Sequence, residues 1–284
     1  MQILQNISSA KSRSRFLIGI TSFLLVLTLS LPAYAGWILT GRYIDTDGRV
    51  LPQRFFIEHN KFKYEMHDFI YIFDFNNQSL ILIDISRLTY CKTTLDAYLA
   101  YKRDLMTQRL TELMKSIPEG ERSAYREEYM HKVADAGKIP PPTTDSVTIS
   151  DTKIDFRMMN YDTDKYTVSL NGLRVEDVWI APALTMNNDF SWDRYFDFMA
   201  ALSLREGDLN LMTSEIYRKL LSTGYPLRRI MYTSIGNNEW QVNKLEEKNI
   251  PDYEFYTPDK CKSVTLQQWF AKTAEKTTRY DDYE

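Results

Sequence analysis

The apolar residues along the chain change their spacing several times, and each spacing predicts a different element. Over residues 37–84 they form short runs that are separated by turn residues, of which Asp47-Gly48 is a typical hairpin signal. The runs at 69–75 and 79–84 are almost continuously apolar, which favours strands that are covered on both faces. We therefore predict an antiparallel meander in this part of the chain.

The next segment has a helical spacing. Apolar residues between Leu95 and Met114 recur at three- and four-residue steps, and a more charged helix follows as far as Ala136. Ser116 and Glu119 have the spacing of a capping box, which predicts the start of that second helix. Residues 93–139 are interpreted as a helical hairpin inserted into a β framework. The pattern leaves open whether it is a lid, a docking arm for a partner or plain packing on the sheet.

Strand-like alternation returns after residue 146 and continues to residue 180. A bulge is predicted at Glu176-Asp177, because the apolar alternation breaks there. Two amphipathic helices follow, and then a hairpin whose turn is expected at residues 236–238. Thr265 and Gln268 have the spacing of a cap for a final helix. This order of elements predicts an α+β fold with a single curved antiparallel sheet.

The first 35 residues have the pattern of a secretory signal peptide. Three basic residues precede an uncharged apolar stretch at 16–31, and Ala33-Tyr34-Ala35 offers small residues at the two positions that a signal peptidase recognises. The stretch is shorter than the ~20 apolar residues that span a bilayer, although an N-terminal membrane anchor is the alternative. We therefore predict cleavage after Ala35, export to the periplasm and no stable membrane span afterwards.

The remaining chain is predicted to form one domain over residues 36–270, with a loose charged tail at 271–284. The formal net charge of the whole chain is −3, and the predicted signal peptide removes three of its basic residues. A chain with a net negative charge offers no basic surface to the phosphates of nucleic acid, so a nucleic-acid partner is excluded.

The two cysteines, Cys91 and Cys261, are predicted to form a disulfide, because a lone pair in an exported chain is most simply bridged. Such a bridge would close a loop of about 170 residues, and the chain-entropy model gives it about 5 kcal/mol. The alternative is two unrelated buried thiols.

No catalytic or metal-binding pattern is evident in the sequence. His59, His67 and His131 are not clustered with other potential metal ligands. The chain has no G-x-S-x-G elbow and no glycine-rich phosphate loop, and its carboxylate pairs lie on charged segments. We therefore expect a non-enzymatic protein without a metal ion or cofactor.

Several segments together resemble a bacterial secreted family of unknown function. They are GYPLR at 224–228, KLEEKNIPDYEF at 244–255, NGL at 171–173 ahead of VWIA at 178–181, GRYIDTDGRV at 41–50 and LILIDISRLTYCK at 80–92. The family is related in fold to the periplasmic lipoprotein carriers of the lipoprotein-localisation-factor type. Its members tend to have Gly-Tyr where Lys260-Cys261 stands here, so the predicted disulfide would be specific to this branch of the family.

The resemblance implies an open half-barrel, formed by the curved sheet and plugged by helices. In the carriers the cavity holds the acyl chains of lipoproteins, and no catalytic residues transfer from the family. We therefore predict a binding protein for a lipid, an acyl chain or another hydrophobic molecule, held between the sheet and the helices. The predicted contacts are Phe73, Ile81, Ile83, Trp179, Trp192, Phe196 and Met199. The alternative is an envelope interaction or sensor protein with a filled core, whose helical hairpin docks a protein partner.

Overall fold

The computed structural model describes residues 36–138, 147–186, 190–202 and 211–271. The predicted signal peptide lies outside the described residues, and so does the predicted tail from residue 272 onward. In the described part no helix is long and apolar enough to cross a membrane.

Twelve strands of the described residues form one sheet, with the order β12-β6-β5-β4-β3-β2-β1-β11-β10-β9-β8-β7. Neighbouring strands are antiparallel except for β12, which pairs in parallel with β6. The strands are β1 (Gly36–Ile44), β2 (Val50–Glu58), β3 (Lys61–Met66), β4 (Phe69–Asp74), β5 (Ser79–Asp84), β6 (Thr89–Thr94), β7 (Val147–Met158), β8 (Tyr161–Leu170), β9 (Leu173–Ala181), β10 (Tyr225–Thr233), β11 (Gly236–Lys248) and β12 (Lys262–Ser263). The sheet is curved and unclosed, which confirms the predicted α+β half-barrel.

Four helices of at least eight residues accompany this sheet in the described residues. They are α1 (Leu95–Leu113), α2 (Arg122–Asp135), α3 (Trp192–Leu202) and α4 (Glu215–Ser222). α1 and α2 form the inserted hairpin between β6 and β7, while α3 and α4 follow β9. The sheet face that packs against α3 and α4 is called the helix face below, and the other is called the outer face.

β5 is buried on both faces, as its continuous apolar run predicted. Leu80 and Leu82 belong to the helix-face core, whereas Ile81 and Ile83 belong to a separate cluster on the outer face. That outer cluster is closed by the segment after β11, through Ile250 and Phe255.

The predicted caps have different outcomes. The Gln268 side chain accepts a hydrogen bond from the Thr265 backbone N–H at 3.0 Å, and the Thr265 hydroxyl accepts one from the Gln268 backbone N–H at 3.2 Å, which confirms the capping box. The cap predicted at Ser116 is wrong, because its hydroxyl donates to the Leu113 carbonyl at 2.8 Å. A 3₁₀ turn at Glu119–Glu121 lies between Ser116 and α2, which starts without a side-chain cap.

Two predictions about the later strands need correction by one or two residues. The bulge lies at Val175, where the β8–β9 register shifts, one residue before the predicted position. Beyond the bulge, Glu176 and Val178 share the helix face, because side chains two apart on a strand point to the same side. The β10–β11 turn consists of residues 234 and 235 alone, because the ladder extends to a pair between Thr233 and Gly236.

The predicted disulfide is wrong, since both thiols are free in the structure. Cys91 lies in the helix-face core, whereas Cys261 packs against the outer-face cluster that includes Tyr90. Consecutive residues of a strand point to opposite faces, so Tyr90 and Cys91 are on different sides of β6. The sheet itself therefore separates the two sulfur atoms.

Candidate functional site

A cavity of about 430 Å³ lies between the helix face of the sheet and the start of α3, and we call it the inner cavity. Its floor comes from the five adjacent strands β3, β2, β1, β11 and β10, which occupy the middle of the sheet. Most of its wall is apolar or aromatic. The lining residues are Tyr43, Gln53, Phe55, Ile57, Phe62, Tyr64, Met66, Phe190, Trp192, Tyr195, Met212, Leu221, Tyr225, Pro226, Arg229, Met231 and Trp240.

Strand periodicity explains why these residues share one wall. Side chains two apart on a strand point to the same face, so β2 contributes Gln53, Phe55 and Ile57. Phe55 stacks on Tyr64 of β3 with ring centroids 4.9 Å apart and meets Trp240 of β11 edge to face at 5.6 Å. The floor of the cavity is therefore a continuous aromatic surface.

A second cavity of about 660 Å³, which we call the rim cavity, lies beside the first. It extends to the end of the sheet at which the β8–β9 and β10–β11 turns lie, and Leu170 and Thr233 line it there. The two cavities share five lining residues, which are Tyr43, Tyr195, Met212, Arg229 and Met231.

A buried charged triad stands at the boundary between the two cavities. The Arg229 guanidinium donates from Nε to Glu176, and from Nη2 to the Tyr217 hydroxyl at 2.7 Å. The Tyr217 hydroxyl in turn donates to Glu176 Oε2 at 2.7 Å. The Glu176 side chain is 2% exposed and that of Arg229 is 21% exposed. The Glu176 carboxylate is therefore buried, whereas the Arg229 guanidinium is partly exposed at the cavity surface.

The protonation states of this wall follow from burial and from that ion pair. Burial by itself lowers the pKa of Arg229, but the adjacent Glu176 more than offsets this effect, so the pKa is raised and the guanidinium stays charged. Burial raises the pKa of Tyr217, Tyr225 and Tyr64. At neutral pH these phenols are uncharged hydrogen-bond donors.

Two further polar groups belong to the inner cavity. Gln53 Nε2 donates to the Tyr64 hydroxyl at 2.6 Å, and that hydroxyl contacts Met66 Sδ at 3.0 Å. Trp240 is 9% exposed, and its buried Nε1–H meets no acceptor among the described residues. The wall thus combines a large apolar area with few polar groups, which is the usual composition of a small-molecule site.

The structure brings together only part of the predicted contact set. Trp192 lines the inner cavity and Met199 lines the rim cavity. Phe73 lies on the helix face and packs edge to face against Phe198 at 5.6 Å. Phe196 is 0% exposed and belongs to the core beneath α4, so it supports the wall without lining it.

Three residues of the predicted set lie on the outer face and cannot contact a ligand between sheet and helices. Ile81 and Ile83 belong to the outer cluster. Trp179 lies between two cations, with Lys165 Nζ and Arg228 Cζ at 5.0 and 4.7 Å from its ring centroid. Apolar character alone does not identify the face of a strand that is covered on both sides.

The residues that sequence reasoning missed are chiefly Glu176, Arg229 and Tyr217. A signal for two of them was present, since Glu176 is in phase with Val178 and Ile180 on the helix face of β9. Arg229 is likewise in phase with Leu227 and Met231 on β10. Charged residues of opposite sign at core-facing positions indicate a buried pair, because an isolated buried charge is too costly.

Among the described residues no group of three or more His, Cys, Asp or Glu side chains is arranged to hold a metal ion. No family model matches the chain, and no curated protein matches its sequence.

Solved structures match at low similarity. An uncharacterized conserved protein from Thermus thermophilus matches with 8% identity over 82% of this chain and 91% of its own, at a TM-score of 0.40. A chain of the Pseudomonas aeruginosa MucA/MucB complex has 10% identity over 82% of this chain and 59% of its own, at 0.35. A LolA superfamily protein from Nitrosomonas europaea has 7% identity over 80% of this chain and 91% of its own, at 0.25. Similarity at this level concerns the fold alone and carries no argument about function.

Proposed function

We propose that this protein binds a lipid, an acyl chain or another hydrophobic molecule without catalysis, in the inner cavity between the sheet and α3. The observation that carries the proposal is the inner cavity itself. It has about 430 Å³ of open space in the middle of the helix face, where a filled core would otherwise be expected. That volume lies within the ordinary range of small-molecule sites.

Burial of apolar surface would supply the binding free energy. Each methylene group that leaves water contributes roughly 0.8 kcal/mol, so a chain of several methylenes offsets the entropy cost of association. Met66, Met212 and Met231 lie on the wall, and unbranched thioether side chains adapt to ligands of different shape. The signal-peptide pattern of residues 1–35 supports the periplasm as the compartment in which the protein acts.

A titration with the apolar dye Nile red, followed by native mass spectrometry of material purified from a cell envelope, tests the proposal. Wild-type protein should bind the dye, and Met231→Trp, which fills the cavity, should weaken binding by about tenfold or more. Ile230→Trp is the matched control, because the neighbouring residue points to the outer face and should leave binding unchanged. A ligand-free native mass together with no dye uptake would contradict the proposal.

A second candidate function, docking of a protein partner by the α1–α2 hairpin, is favoured by one observation. A groove of about 590 Å³ runs between the two helices and combines apolar with basic residues. Its lining residues are Thr107, Leu110, Thr111, Met114, Lys115, Arg122, Arg126 and Met130. Under this hypothesis, Arg126→Glu with Met130→Lys should abolish site-specific photo-crosslinking to an envelope protein, while uptake of Nile red stays at the wild-type level.

A further inference from the structure

The charge balance of the inner cavity indicates which hydrophobic molecules it selects, provided that the proposed function holds. Arg229 and Glu176 form the ion pair that borders the cavity, and both carboxylate oxygens of Glu176 are hydrogen-bonded. One carboxylate oxygen accepts from Arg229 and the other accepts from Tyr217. The pair is neutral as a unit, so the wall carries hydrogen-bond donors that a ligand can use but no net positive charge.

Besides the Trp240 indole N–H, the inner cavity has donors on the Arg229 guanidinium and on two phenols that make no hydrogen bond to a described residue. No described residue accepts a hydrogen bond from Arg229 Nη1, and the Arg229 side chain is partly exposed to the cavities. Tyr195 and Tyr225 line the same cavity, and neither hydroxyl is hydrogen-bonded to a described residue. Their rings are both packed against Trp192, at centroid distances of 5.7 and 6.1 Å. Arg229, Tyr195 and Tyr225 therefore all line the inner cavity, and both tyrosine rings pack on the same indole.

An uncharged acceptor suits this arrangement better than an anion. A carboxylate would add an uncompensated negative charge beside the already neutral pair, in a region of low dielectric where the desolvation cost is several kcal/mol. A carbonyl oxygen of an ester or amide accepts hydrogen bonds without that cost. An alkane would leave the donors without an acceptor, which also lowers affinity.

We propose that the inner cavity binds an acyl chain that ends in an uncharged ester or amide carbonyl, in preference to a free fatty acid. The carbonyl oxygen accepts hydrogen bonds from Arg229 and from the Tyr195 or Tyr225 hydroxyl. The hydrocarbon tail lies along the aromatic floor formed by Phe55, Phe62 and Tyr64. The amphiphile is held without any covalent step.

The test compares three probes that share one chain length, which are monodecanoylglycerol, decanoate and decane, in competition with Nile red. Wild-type protein should bind the ester about tenfold more tightly than decanoate, and decane with intermediate or weaker affinity. Glu176→Gln leaves the Arg229 charge uncompensated and should reverse the preference in favour of decanoate. Tyr195→Phe with Tyr225→Phe should weaken ester binding about fivefold or more and should not weaken decane binding, because an alkane gains nothing from the two hydroxyls.

Arg228→Met is the matched control, because this neighbouring arginine lies on the outer face and pairs with Glu239 at 2.9 Å. It should leave all three affinities at the wild-type level. If no probe binds, the proposed function itself fails. If all three bind equally, or if decanoate binds best to the wild type, hydrophobic binding stands and the selection of an uncharged carbonyl is overturned. Circular dichroism establishes that each variant is folded. If Glu176→Gln does not fold, the Tyr195→Phe, Tyr225→Phe double variant tests the proposed selection of a carbonyl.

Discussion

Arg229 and Trp240 are directly opposed on β10 and β11, and both side chains line the inner cavity. Side chains at opposed positions of an antiparallel pair lie about 5 Å apart at Cβ. The cation and the indole therefore form one patch of the wall, next to the aromatic ring of Phe55. A molecule that enters the cavity must change the surroundings of this indole.

Tryptophan emission should consequently report occupancy of the inner cavity. Titration with a brominated alkyl probe should quench the emission of Trp240 and Trp192, because heavy-atom quenching requires near contact and both indoles line the cavity. The Trp192→Phe, Trp240→Phe double variant should lose most of the quenching. Trp179→Phe is the control, since Trp179 is on the outer face, and an equal loss of signal in that variant would contradict the placement of the ligand.

Removal of Glu176 should destabilise the protein strongly. Glu176→Ala leaves the Arg229 guanidinium buried without its counter-charge, and the expected loss is about 3–5 kcal/mol in the free energy of unfolding. Urea denaturation followed by circular dichroism measures it. Glu239→Ala removes the partner of Arg228, which is partly exposed, and should cost no more than about 1 kcal/mol. Similar losses in both variants would show that the triad has no special role in stability.

Because Ile83 lies on the outer face, its truncation should lower stability without changing ligand binding. Ile83 is fully buried in the outer cluster, so Ile83→Ala should cost about 2–5 kcal/mol through lost burial and a new cavity. Affinity for Nile red, measured at a temperature where the variant stays folded, should be unchanged. Phe62→Leu, which enlarges the inner cavity, should alter dye affinity instead. If Ile83→Ala changed the affinity for Nile red and Phe62→Leu did not, the ligand would lie on the outer face, which contradicts the proposal.

The two cysteines should be found reduced. Cys91 and Cys261 are separated by the sheet, so non-reducing peptide mapping of the native protein should give two free thiols and no linked peptide. Burial raises the pKa of both thiols, which slows their reaction with alkylating reagents in the native state. Urea should expose Cys91 to modification. A linked peptide in native protein would require a different register for β12.

Alkaline pH should unfold the protein through its buried tyrosines. Burial raises the pKa of Tyr64, Tyr217 and Tyr225, and it raises the pKa of Tyr98 to about 12. The stability that these neutral phenols contribute is fully present below the unfolded-state pKa of about 10 and is lost as the pH rises above it, because only the unfolded chain ionises readily.

Phenolate absorbance and urea denaturation as a function of pH measure this effect. The buried tyrosines should ionise only as the chain unfolds. The free energy of unfolding should decrease above about pH 10. A single titration of all the tyrosines in native protein would contradict the assignment of a buried group.

The sequence by itself determined the elements and the class of fold. Period-two alternation, helical spacing and turn residues are local properties, and they sufficed for the meander, the hairpin of α1 and α2 and the α+β order. The doubly covered β5 was also predictable, because a continuous apolar run favours a strand that is buried on both faces. The capping box at Thr265 and Gln268 depends on residues three apart and was predictable for the same reason.

Only the tertiary structure decided which side of each strand packs against the helices. Ile81 and Leu82 are equally apolar, and nothing in their sequence says which one is turned toward the helices. The separation of Cys91 from Cys261 depends on which side of β6 the C-terminal segment follows. The pairing of Glu176 with Arg229 joins residues 53 positions apart, through a bulge at Val175 that sets the phase of β9. Long-range register and the choice of face are properties of the assembled sheet, so the site could be located only there.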